Sequence, residues 1–86
     1  NSQNLLEFIM RSEGLNHLYN GKPDIAIQIF KMNVLVHPKI AKALQSLGEG
    51  YMETGKKELA LKYFKESISI NPDNPFANDM IKKLEE

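Results

Sequence analysis

The chain has 86 residues, 42% of them hydrophobic and 26% charged, with eleven Lys and Arg set against eleven Asp and Glu. At that length it is one small domain that buries a little over about 60% of its unfolded surface, which leaves no room for a deep substrate cavity beside a core and excludes a large enzyme. Zero net charge with neither half basic removes the footprint of a nucleic-acid binder, the lack of Cys removes disulfides, thiolate metal sites and thiol nucleophiles, and the short apolar runs fall far below the roughly 20 residues that cross a bilayer.

Pro and Gly divide the chain into five amphipathic stretches, each expected to be a helix. The first runs from about Leu5 to Tyr19, with Asn4 and Glu7 at capping-box spacing and Asn20-Gly21 tolerating a left-handed stop. Pro23 suits the first position of a second helix ending near Val36, because its missing N–H would be unpaired there in any case. A third begins between Pro38 and Ile40 and reaches Thr54, where Gly55 takes the stop position that Gly21 took before. The fourth spans Lys57 to Ile70. After the turn run Asn71-Pro72-Asp73-Asn74-Pro75, Asn74 caps and Pro75 opens a short fifth helix to about Leu84. No period-2 stretch competes, so the chain reads as all-α with short connections.

Shifting the sequence over itself by 34 residues pairs Ser12 with Ser46, Gly14 with Gly48, Gly21 with Gly55 and Lys22 with Lys56. It also pairs Ala26 with Ala60, Phe30 with Phe64, Lys31 with Lys65 and Pro38 with Pro72. The matched set includes small residues, turn glycines, one aromatic and a closing proline, the positions where two packed helices restrict residue size.

This pattern resembles the tetratricopeptide repeat, with its large residue, Leu-Gly, Tyr, Ala, Phe and closing Pro. Residues 41–74 follow it through Leu44, Leu47-Gly48, Tyr51, Ala60, Phe64 and Pro72, with Ser67 replacing a usual Ala. Residues 7–40 keep Met10, Gly14, Ala26, Phe30 and Pro38 but carry Glu13 for Leu, His17 for Tyr and Asn33 for the small Ala. The resemblance implies a single tetratricopeptide-like domain over 1–86, a right-handed superhelix of antiparallel helix pairs, with repeats at 7–40 and 41–74 and a capping helix at 75–86. Gly14 and Gly48 on the A helices are expected to face Ala26 and Ala60 on the B helices, with Phe30 and Phe64 filling the space beside them. The first helix is expected to expose an unpaired side.

No constellation for chemistry stands out. His17 and His37 have no Cys and no His-Glu pair with which to build a metal or catalytic set, and His17 reads as a packing residue between A and B helices. Ser12 and Ser46 have no general base at a fixed relation, and Lys56-Lys57 and Lys82-Lys83 read as solvated faces. The chain is therefore expected to be non-enzymatic and to need no cofactor.

The resemblance instead implies binding on a wall formed by the A helices, to a protein or peptide segment or a neighbouring domain. Its candidate contacts are Phe8, Arg11, Leu15 and Tyr19 on the first helix, Gln45, Glu49 and Met52 on the third, and Phe76 and Met80 on the fifth; Ser12, Ser46 and Lys42 would also face this wall. Arg11 matches a basic position of family members that grip a carboxylate, but Leu15 and Ser46 stand at the asparagine positions and no third repeat follows, which argues against that clamp. Leu5, Leu6, Phe8, Ile9 and Met10 supply more apolar surface than one B helix covers, so self-association into a homo-oligomer through the first helix is an alternative. The strings at Ala26–Asn33, Ser46–Tyr51 and Ser67–Asn74 are also similar to repeat tails that follow hydrolase domains in some bacterial proteins. With Asn1 in place of Met, the chain then reads as an accessory piece of a longer protein. Its compartment is left open by the sequence.

Overall fold

The computed structural model describes residues 2–86 and places five helices in them: α1 (Ser2–Tyr19), α2 (Pro23–Val36), α3 (Ala41–Glu53), α4 (Lys57–Ile70) and α5 (Pro75–Glu85). Each helix packs on its neighbours in chain order, and α1 also touches α3. The short connections turn each helix back along the last, giving a TPR-like helical solenoid with extents of 37 × 28 × 18 Å.

The two tight turns repeat atom for atom. Gly21 has φ 77° and Gly55 φ 76°, the left-handed region that glycine enters without a Cβ clash. After each glycine a lysine N–H reaches back five residues, Lys22 to the His17 carbonyl and Lys56 to the Tyr51 carbonyl, both at 2.9 Å. These bonds, with Gly21 donating to Leu18 and Gly55 to Met52, are Schellman closures that satisfy the last carbonyls of α1 and α3. At α5 the expected cap is present: the Asn74 side-chain oxygen accepts from the Ala77 N–H at 3.1 Å, and Pro75 follows at the first helical position.

The start of α1 departs from expectation. The helix extends back to Ser2, so Asn4 lies inside it and the Asn4/Glu7 capping box does not form. Glu7 is buried, and its carboxylate accepts from Arg11 at 2.9 Å and from the Asn33 amide at 3.2 Å. A carboxylate held by these partners from two helices cannot turn back to cap its own N-terminus.

The core runs along the axis between the helices, with Phe30 and Phe64 fully buried at its centre. Each ring lies directly over the helical glycine of its pair. A Cβ on Gly14 would come within 2.3 Å of Phe30 Cε1, and one on Gly48 within 3.1 Å of the Phe64 ring. Gly50 admits the neighbouring pair in the same manner, since its Cβ would meet Ile27 Cγ1 at 3.0 Å and Phe30 Cδ2 at 3.2 Å. Tyr51 stacks on Tyr63 with centroids 5.8 Å apart. His17, at the Tyr51-equivalent position, is half-buried, with its ring Nε2 3.3 Å from Glu13. The shorter imidazole has Ile29 where Tyr51 has Tyr63, and so finds no stacking partner.

At the far end, Ala77 and Ile81 bury against α4 as Ala43 and Leu47 bury against α2. Its outward side carries Asn78, Lys82 and Glu85, all exposed, where α3 has Leu44, Gly48 and Tyr51, all buried. Lys82 in the place of a glycine blocks the close approach that Gly48 permits.

Candidate protein-binding surface

The A-helix wall is built from α1, α3 and α5. On α1, Phe8, Arg11 and Leu15 follow one another at three- and four-residue spacing, which stacks them on one face. The Arg11 guanidinium lies 5.6 Å from the Phe8 ring centroid while Nε and Nη2 engage the Glu7 carboxylate at 2.9 and 3.4 Å. On α3, Gln45 accepts from the Asn74 amide at 2.6 Å, tying the wall to the turn before α5. Burial raises the pKa of the neighbouring Glu49 above the usual carboxylate value. A hydrogen bond from Gln45 and the charge of Arg11 oppose that shift, while Glu53 adds to it.

The structure thus brings Phe8, Arg11, Gln45 and Glu49 into one connected strip. Tyr19 is 74% exposed but lies eleven residues beyond Phe8 on the same helix, about 16 Å along its axis, and does not join them. Leu15, Met52 and Met80 are only partly exposed and pack against the core. Phe76 is 40% exposed, with its ring edge-on to Phe64 at 6.2 Å. Ser46 is buried, its hydroxyl donating to the Lys42 carbonyl at 2.9 Å, so it does not open onto the wall as the spacing suggests. Leu5, Leu6, Phe8 and Ile9 are each roughly half exposed, leaving the outer side of α1 uncovered.

Two features were not anticipated from the residue pattern. A buried polar chain crosses the first helical pair: Asn33 donates to the Glu7 carbonyl and carboxylate, at 3.4 and 3.2 Å, and its side-chain oxygen accepts from His37 Nδ1 at 2.8 Å. His37, in the connection after α2, is buried, and its Nε2 has no hydrogen-bond partner among the described residues. The second pair makes the equivalent bridge more simply, Ser67 Oγ donating to the Ala41 carbonyl at 2.8 Å. The visible signal was the 34-residue register itself, which sets Glu7 and Asn33 opposite Ala41 and Ser67. The second feature is a strip of exposed apolar side chains on α2, Ile25, Met32, Leu35 and Val36, whose signal was that α2 is apolar nearly all round.

Among the described residues no three His, Cys, Asp or Glu side chains gather as a metal site, and no helix is long and apolar enough to cross a membrane. No curated protein matches the chain. The family model of the tetratricopeptide repeat matches residues 41–74, which are α3, α4 and the turns that close them. Such repeats are generally non-catalytic scaffolds for protein–protein contact. Residues 41–74 thus match a tetratricopeptide repeat, and the five helices pack as a TPR-like solenoid around that pair.

Proposed function

We propose that the chain acts by binding rather than catalysis, that residues 7–40 and 41–74 serve as its two repeats closed by 75–86, and that its A-helix wall receives a segment of another protein. The supporting observation is the strip of Phe8, Arg11, Gln45 and Glu49. It sets an exposed ring beside a guanidinium fixed by Glu7 and a carboxylate whose charge is disfavoured by burial. A donor or cationic group on the incoming segment would relieve Glu49, and an apolar side chain would cover Phe8. The test selects peptides from a random displayed library on the intact chain and measures their affinity for Phe8→Glu and Glu49→Gln variants. The expected result is a loss of about tenfold or more for Phe8→Glu; selected peptides indifferent to both substitutions would sink this reading.

A second reading rests on the uncovered side of α1, where Leu5, Leu6, Phe8 and Ile9 would pair with the same face of another copy. Sedimentation equilibrium over a wide concentration range separates the two. A monomer throughout removes self-association, whereas a dimer that Phe8→Glu dissolves without loss of helicity makes α1 the interface.

A further inference from the structure

The α2–α4 side of the molecule carries an open groove of about 900 Å³ that is separate from the A-helix wall. One wall is α2, from Asp24 to Leu35, a single helix face about 16 Å long; the other is the start of α4 at Lys56 and Leu59, and Tyr51 is part of the lining. Met32 is 60% exposed and Leu35 81%, so these two side chains have no cover within the chain, while Ile27 on the same face is buried. Lys31 on one wall and Lys56 on the other take part in no ion pair among the described residues. Together with Asp24, the two lysines leave the lining with one net positive charge, two minus one.

Two physical arguments specify the occupant. The walls are helices whose main-chain groups bond within themselves, so a strand laid in the groove would find no backbone partners over an apolar floor; a helix brings its own. Two ammonium groups, one on each wall of an apolar groove and neither in an ion pair among the described residues, favour carboxylates along the edges of whatever fills the space between. We propose that this groove receives an amphipathic helix of another protein, its apolar stripe seated on Met32, Leu35, Tyr51 and Leu59 and its flanking acidic side chains reaching Lys31 and Lys56. The site is additional to the A-helix wall and does not depend on it.

The experiment uses two fluorescein-labelled amphipathic helical peptides with the same leucine stripe, one flanked by Glu and one by Lys. Anisotropy titrations against the intact chain are paired with amide chemical-shift mapping. The Glu peptide is expected to bind and to perturb α2 and the start of α4, and the Lys peptide to bind about tenfold or more weakly. The double variant Lys31→Glu with Lys56→Glu should reverse that preference. Met32→Glu should cost about tenfold or more. Should Met32→Glu lose its helicity, Leu35→Glu at the more exposed position takes its place. Equal binding of both peptides, indifference to the lysine reversal, no binding, or perturbations confined to α1, α3 and α5 would each overturn the proposal. So would a dimer in sedimentation that Leu35→Glu dissolves, because the occupant would then be a second copy of this chain.

Discussion

Two glycines in equivalent places are not equally tight. A methyl on Gly14 would sit 2.3 Å from a ring that is fully buried and cannot swing aside, whereas on Gly48 the nearest approach is 3.1 Å. Alanine gains about 1 kcal/mol of helix propensity over glycine, and overpacking costs about 1–3 kcal/mol. Gly14→Ala should therefore destabilise by about 1–2 kcal/mol while Gly48→Ala stays within about 0.5 kcal/mol of neutral, as read by urea denaturation. Glu49 offers a second contrast. Its folded pKa is raised above the usual carboxylate value, chiefly by burial, so the folded state binds the proton more tightly than the unfolded chain does. The stability this group contributes is fully present below its unfolded pKa and is lost as pH rises through the folded value. Glu49→Gln, which stays neutral, should melt higher than the parent at neutral pH and lose that advantage by about pH 4. An unchanged difference across that range would refute the shift.

At the scale of helices, the question is how one architecture tolerates two different bridges between its A and B helices. The bridge in the second pair is a hydroxyl on a carbonyl, Ser67 to Ala41; in the first it is an amide joined to a carboxylate, a guanidinium and an imidazole. Asn33→Ser alone would leave the Glu7 carboxylate to Arg11 and deprive His37 Nδ1 of its acceptor, at a cost of about 1–3 kcal/mol. Adding Glu7→Ala and His37→Asn, which copies Ala41, Ser67 and Asn71, should recover most of it, giving a strongly non-additive mutant cycle. Helix bounds were readable because Pro23, Gly21, Gly55, Asn74 and Pro75 act through local backbone geometry that the residue type alone dictates. The Glu7–Asn33–His37 chain was not, because a buried polar residue declares itself only through a partner 26 positions away. The same holds for the wall: spacing placed Phe8 and Arg11 together, but Ser46 turned inward because its hydroxyl bonds to the carbonyl one turn back.

Across the whole molecule, burial is concentrated at the centre. α3 contacts helices on both sides and buries Ala43, Leu44, Ser46, Leu47, Gly48, Gly50 and Tyr51, while α5 buries only Ala77 and Ile81. In a solenoid each helix is stabilised by its neighbours, so amide exchange should be slowest in α3 and faster in α5 and in the first turns of α1. Uniform protection along the chain would instead mark a single all-or-none unit. The contrast between the two ends has one more consequence, and it concerns direction. A helical array is a linear polymer that lengthens only where an end can accept another unit. The α1 end offers Leu6 and Ile9 as open apolar sockets, while the α5 end presents Lys82 where the next helix would require glycine. We expect units fused ahead of α1 to continue the stack and units fused behind α5 to hang from it as separate bodies.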